Sequence, residues 1–147
     1  MSETVVDWQS CFASALLHSR ADAMLLCDGE GIIRCWTPGA ERMFGYSESE
    51  AVGRSLDIII PERLRARHWA GYREVMNGAP SRYGDGDVLA VPGLRKDGSQ
   101  ISIEFTIMPA TDAQGRLVGL AAVIRDVTAR FEELKALRKQ LRTTQPT

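Results

Sequence analysis

The pattern of apolar and polar positions divides the chain into a leading helix, two strands, three helices, three strands and a final helix. Alternating or short continuous apolar runs between glycine-bearing turns predict strands, and neighbouring strands joined by short turns predict antiparallel pairing. The predicted class is α+β, with a five-stranded antiparallel sheet and helices on one face. The five strands are predicted at residues 23–27, 32–36, 88–91, 101–107 and 117–124.

Capping signals locate the helices between the second and third strands. Thr37 followed by Pro38 is typical of an N-cap and a first helical position, and Ser47 with Glu50 predicts a capping box. The longest of these helices is predicted to start at Pro61, where the proline suits the first turn, and to end before Asn77-Gly78. We expect Pro92-Gly93 to interrupt the third strand as a bulge or an edge irregularity.

Both ends of the chain carry amphipathic patterns outside a central domain at residues 21–127. Residues 1–20 hold apolar positions at three- and four-residue spacing, and the resulting helix must bury its stripe against the sheet of the domain or a second copy. Residues 128–147 predict a charged helix and a frayed tail. The helix could pack on the domain edge, the leading helix or another subunit, and we expect a homodimer through these helices. The two stripes are Val5, Trp8, Phe12, Ala15 and Leu16, and Phe131, Leu134, Leu137 or Arg138, and Leu141.

Composition limits the partners and the compartment. The 147 residues suit one domain, and the net charge of −1 favours neither a nucleic acid nor a membrane as partner. Cys11, Cys27 and Cys35 are an odd number without disulfide or zinc spacing, so we expect reduced, buried thiols. Because no signal peptide or membrane span is evident, a cytoplasmic location is expected.

His68 is the candidate functional residue of the predicted central helix. Leu64, His68 and Tyr72 recur at four-residue spacing, and Trp69 extends the same side, so the imidazole should point inward among apolar groups. One interpretation is a half-buried histidine hydrogen-bonded to a backbone carbonyl. The other is an axial ligand to haem iron, which needs a neutral imidazole on a rigid element facing an apolar cavity. The spacing alone leaves both open.

Catalytic and metal patterns are weak. No nucleophile with a placed base, pair of catalytic carboxylates or phosphate loop is evident, so we do not expect an enzyme. Asp85-Gly86-Asp87 offers two carboxylates for a metal ion. Without further oxygen ligands nearby, such a pair more often forms a solvated turn, and we favour that interpretation.

Four segments in order resemble the signature segments of PAS sensory domains and span roughly residues 20–130. This resemblance implies a five-stranded antiparallel sheet curling around a ligand pocket, with the terminal helix relaying the signal. The family's usual asparagine near Thr37-Pro38 is absent. The segments are Trp36-Thr37-Pro38-Gly39-Ala40-Glu41-Arg42-Met43-Phe44-Gly45-Tyr46, Glu50-Ala51-Val52-Gly53, Lys96-Asp97-Gly98 and Arg125-Asp126-Val127-Thr128.

The segment from Ile60 to His68 is similar to haem-binding PAS domains of rhizobial oxygen-sensor histidine kinases and bacterial oxygen-regulated cyclic-dinucleotide phosphodiesterases. The similarity implies haem b ligated by His68, a diatomic gas as ligand, and propionates near Arg73 or Arg82. Asp87 stands where the oxygen sensors have an oxygen-binding arginine, so that stabilisation would be missing. Asp85 stands where the phosphodiesterases have a methionine ligand, and we expect both aspartates outside the pocket. The implied pocket residues are Tyr72, Ile103, Phe105, Leu120, Ala122 and Ile124.

These observations give three functional hypotheses. The first is a sensor that binds haem and responds to a gas or a redox change. The second is an interaction module whose pocket is filled by core side chains and whose helices dimerise or dock onto a kinase or regulator, or a sensor of another small ligand. An enzyme is the weakest. A flavin photosensor of the light-sensing PAS type would need a reactive cysteine in an asparagine-cysteine-arginine motif, which Cys11, Cys27 and Cys35 all lack.

Overall fold

The computed structural model of the chain describes residues 4–80 and 90–144, and its elements follow the predicted order. A short 3-10 helix at Leu56–Ile59 precedes the longest helix of the domain. The strands are β1 (Ala23–Asp28), β2 (Ile33–Trp36), β3 (Val91–Leu94), β4 (Gln100–Thr111) and β5 (Leu117–Asp126). The helices are α1 (Trp8–Leu17), α2 (Pro38–Phe44), α3 (Glu48–Ala51), α4 (Glu62–Met76) and α5 (Thr128–Thr144).

The five strands form one antiparallel sheet in the order β2-β1-β5-β4-β3, which confirms the predicted class. Residues opposite each other on neighbouring strands share a face. Leu25 lies opposite both Trp36 and Ala122, and Ile124 lies opposite Phe105. This face meets buried residues of the helices, so the domain has a single core on one side of the sheet.

Thr37 ties the start of α2 to β1. Its buried hydroxyl donates to the carbonyl of Met24 (3.0 Å) and accepts from the amides of Met24 (2.9 Å) and Ala40 (3.4 Å). Gly39 lies so close to the preceding segment that a Cβ there would stand 2.0 Å from the carbonyl oxygen of Asp22. The predicted N-cap residue therefore also makes the tertiary contact that attaches α2 to the sheet.

Two details of the predicted elements are corrected. The pair Pro92-Gly93 does not interrupt β3, because both residues pair in continuous register with Ser102 and Ile101 of β4. Proline is tolerated there because β3 lies at the edge of the sheet, where one side of the backbone has no ladder partner. Helix α4 begins at Glu62, with Pro61 as its capping residue. The predicted strand residues Val88 and Leu89 lie outside the described residues.

Both terminal helices leave their apolar stripes exposed in the single chain. Neither has a buried residue; the exposed fraction is 76% for Trp8 and 67% for Phe12. Cys11 on α1 is also exposed, contrary to the expectation that all three cysteines are buried, whereas Cys27 is buried and Cys35 half-buried. None of the described helices has the length and apolar character needed to cross a membrane.

We predict that Thr37→Val destabilises the domain by roughly 2 kcal/mol, since the valine keeps the volume but removes the acceptor of the Met24 amide and one of the two donors to the Met24 carbonyl. Chemical denaturation should show a lower midpoint with an unchanged slope. Thr106→Val, at an exposed position on β4, is the matched control and should change the free energy of unfolding by less than about 0.5 kcal/mol. Equal effects of the two substitutions would contradict the assigned role.

Candidate functional site

Helix α4 docks on the turn between β1 and β2 through two aromatic side chains. Tyr72 is the one buried residue of α4, and its hydroxyl donates to the backbone carbonyl of Asp28 (2.6 Å). The ring of Trp69 lies against Gly31, where a Cβ would stand 2.1 Å from a ring carbon. Gly31 also has φ of 79°, which favours glycine. These contacts fix which face of α4 turns toward the sheet.

His68 lies beside these two aromatic side chains and is partly buried. Its ring centroid is 4.6 Å from that of Trp69, in an edge-to-face arrangement, and 5.9 Å from that of Tyr72. The buried Nδ1 atom has no hydrogen-bond partner. The backbone hydrogen bond that would characterise an ordinary half-buried histidine is therefore not formed at this atom.

Burial keeps the imidazole of His68 neutral. Loss of hydration lowers the pKa of His68 below its ordinary value of 6.5, and the carboxylate of Asp57 opposes this shift only in part. A neutral imidazole has a ring nitrogen lone pair available to a metal ion, whereas an imidazolium does not. The protonation state of His68 near pH 7 therefore suits an iron ligand.

Two further groups where α4 meets the sheet, one on the helix and one on the sheet, are also uncharged. Burial raises the pKa of the Tyr72 hydroxyl, and it raises the pKa of the Cys27 thiol to about 12. Cys27 is on β1, opposite Leu120 of β5, on the core face of the sheet. Since both groups are protonated near neutral pH, neither places an ionised side chain between α4 and the sheet.

The predicted pocket residues are only partly brought together. Four lie in the buried core and Phe105 packs against it half-buried, so they share one face with Tyr72. Arg73 is exposed and has no ion pair within the described residues. Arg82, Asp85 and Asp87 lie outside those residues. The four buried positions are Ile103, Leu120, Ala122 and Ile124.

The donor at this site fits a haem iron, although the surroundings must rearrange to admit a macrocycle. His68 offers a neutral imidazole with an unpartnered ring nitrogen, beside aromatic rings and an apolar sheet face. Neither the surface depression beside Glu48 and Val52 nor the one beside Pro61 and Arg65 includes His68. Bound haem would displace neighbouring side chains of the packed core.

Sequence patterns did not identify the residues that hold His68 in place. Trp69 was assigned to the same side of the helix, but its hydrogen bond from Nε1 to the carboxylate of Asp57 (2.7 Å) joins residues twelve positions apart. Gly31, which makes room for the indole, is an ordinary turn glycine in the sequence. No sequence pattern links Trp69, Asp57 and Gly31, because their contacts form only when α4 packs against the sheet.

We predict that the stability of the domain falls as the pH drops below 6.5 because of His68. The unfolded chain then binds a proton that the buried imidazole does not, so lowering the pH favours unfolding until the lower native pKa is reached. In denaturant unfolding between pH 7.5 and 5, His68→Gln should flatten this dependence. His18→Gln, which changes an exposed histidine at the end of α1, should leave it as in the wild type; parallel curves for all three proteins would refute the assignment.

Comparisons with known proteins agree with this fold. The chain is 34% identical over 131 residues to the sensor protein FixL of Bradyrhizobium diazoefficiens, covering 83% of this chain and 25% of that protein. It is 27% identical over 128 residues to the oxygen sensor protein DosP of Escherichia coli, covering 87% of this chain and 16% of that protein. The chain thus spans a quarter or less of the length of these relatives.

The chain also resembles a solved structure and matches a family of known domains. The crystal structure of the PAS domain of a protein from Colwellia psychrerythraea matches with a TM-score of 0.70 at 23% identity, over 84% of this chain and 99% of that one. The family described as PAS fold matches residues 17–132. The chain therefore belongs to the PAS family of sensory domains.

Proposed function

We propose that this PAS domain binds haem b through His68 and senses a diatomic gas or a redox change. The observation that carries the proposal is the buried Nδ1 atom of His68, which has no hydrogen-bond partner among residues 4–80 and 90–144. Unsatisfied buried polar atoms are rare in native proteins and call for an explanation, of which a ligand is one. The resemblance of Ile60 to His68 to haem-binding oxygen sensors supports the same assignment.

Different residues of this chain would bind different parts of the proposed haem. His68 would supply the axial nitrogen, and Tyr72 with the apolar sheet face would exclude water. Arg73, exposed and without an ion pair in the described part of the chain, is suited to the negative propionates. By resemblance, Arg82 would share that role. When bound, haem supplies an iron that coordinates a diatomic gas or changes oxidation state.

The signal is proposed to leave the domain through α5. Strand β5 runs directly into this helix, and Thr128 at its start accepts a hydrogen bond from the amide of Ser102 on β4 (3.0 Å). The amide of Val127 donates to the carbonyl of Ser102 (2.8 Å). A shift of β4 or β5 therefore acts on the first turn of α5. In a longer protein, this helix would lead to a kinase or another regulatory output.

We further propose that two copies associate through α1 and α5. The apolar stripes of both helices are exposed in the single chain, by 76% at Trp8 and 65% at Leu141. Pairing of the stripes would remove them from water, and stable dimer interfaces bury at least about 1,200 Å² in total. We place the dimer in the cytoplasm, where its free thiols stay reduced.

The alternative function is an interaction module without a cofactor. It is favoured by the buried packing of Ile103, Leu120 and Ile124, which needs no ligand to complete the core, and by the uncovered stripes of the terminal helices. In this case the domain would transmit changes in its partners' arrangement through the same contact between Thr128 and β4.

We predict that the purified protein takes up haem with one-to-one stoichiometry. The absorption spectrum should show a sharp Soret band that shifts on reduction and again with carbon monoxide. His68→Ala should abolish the shifts and saturable uptake because the axial nitrogen is lost. His18→Ala is the matched control and should bind as the wild type. No saturable uptake by the wild type would favour the interaction module.

Association is predicted to depend on both terminal helices. Sedimentation velocity at concentrations well above micromolar should show a dimer for the wild type and a monomer for Phe12→Asp and for Leu134→Asp, since each places a charge on an apolar stripe. Val118→Asp, an exposed position on β5, should remain dimeric. A wild type that stays monomeric under these conditions would rule out the proposed dimer.

A further inference from the structure

Within the described residues, the buried Nδ1 atom of His68 lacks the hydrogen bond that usually orients a metal-binding imidazole. A histidine that binds a metal through one ring nitrogen almost always donates a hydrogen bond from the other, which fixes the ring and makes it a stronger ligand. Within the described part of the chain, the buried Nδ1 atom of His68 has no hydrogen-bond partner. Among those residues, packing sets the angle of the ring.

Trp69 provides the closest aromatic packing against His68. The two ring planes meet at 79° with centroids 4.6 Å apart, the edge-to-face arrangement that aromatic pairs favour. Trp69 is itself held on three sides, by the hydrogen bond to Asp57, by the backbone of Gly31 and by the ring of Tyr72 at 5.3 Å. A side chain with three such contacts has little freedom to rotate.

Asp57 is equally well fixed. It lies in the 3-10 helix, and its amide donates to the hydroxyl of Ser55 (3.2 Å). Arg65 of α4 reaches back to the carbonyls of Asp57 (3.3 Å) and Ile60 (3.0 Å). The contacts therefore run without a gap from the 3-10 helix through Asp57 and Trp69 to the ring of His68.

We propose that Trp69, anchored by Asp57, is the positioning residue of this sensor, setting the angle of the His68 ring by edge-to-face packing in place of a hydrogen bond. This inference rests on the proposed function of His68 as an iron ligand. Gly31 completes the device, because any side chain at that position would occupy the space of the indole. An imidazole held in this way is well oriented and receives no added basicity from a hydrogen-bonded partner.

The first test uses the protein without haem and is read by NMR of the His68 ring protons. The indole of Trp69 should shift these signals in the wild type through its ring current, and one narrow set of signals should report one ring orientation. Trp69→Leu should move and broaden them. Asp57→Leu should have a smaller effect of the same kind, and Asp57→Asn, which keeps an acceptor oxygen for Nε1, should restore the wild-type signals.

The second test measures haem loss and the spectrum of the ferrous carbon monoxide form. Removing an outer contact of a metal ligand typically weakens metal binding by roughly 10- to 100-fold, so Trp69→Leu should release haem about 10-fold faster or more. The control is Trp36→Phe, which removes an indole hydrogen bond to the carbonyl of Tyr46 (3.0 Å) in another part of the core. It should lose stability without changing the rate of haem loss.

The two tests separate the proposals. If the wild type binds no haem, the proposed function fails, while the NMR comparison still decides whether Trp69 orients His68. If Trp69→Leu folds with unchanged His68 signals, the positioning role is wrong. Unchanged haem loss in that variant would also overturn it. Should Trp69→Leu fail to fold, Trp69→Phe, which keeps a ring but loses the hydrogen bond to Asp57, gives the same comparison with a smaller expected effect.

Discussion

The docking of α4 onto the turn between β1 and β2 is the contact on which the candidate site depends. Leu64, Val75 and Met76 of this helix pack half-buried against the core. Its position on the turn is further fixed by the Tyr72 hydroxyl on the carbonyl of Asp28 and by Trp69 against Gly31. These two contacts hold His68 partly buried, and the unusual state of its ring follows from them.

Burial also explains why this region is electrically neutral while its rim is charged. It lowers the pKa of His68 and raises those of Tyr72 and Cys27, so all three favour their uncharged forms near pH 7. Ion pairs such as Asp28 with Arg34 remain at the solvent-accessible edge. An uncharged interior with a charged rim suits the proposed haem, which is an apolar macrocycle with charged propionates at its edge. The same arrangement suits a core filled by side chains alone, so it is compatible with both proposed functions.

Sequence patterns predicted the elements because local physics determines them. The alternation in β4, the capping box of Ser47 with Glu50 and the turn at Gly98 each depend on residues close in the chain. The continuity of β3 through Pro92 could not be predicted, since it depends on the strand being at an edge. The exposure of Cys11 depends on what α1 packs against. The contact of Trp69 with His68 and the hydrogen bond from Trp69 to Asp57 are tertiary contacts, and the spacing of residues in the sequence does not predict them.

The most direct test of the central claim is a crystal structure of the haem-loaded protein with anomalous scattering measured at the iron absorption edge. We predict one anomalous peak within bonding distance of a ring nitrogen of His68, with Trp69 still hydrogen-bonded to Asp57 and in edge-to-face contact with the His68 ring. An iron peak ligated by another residue, or haem bound only at the molecular surface, would contradict the account.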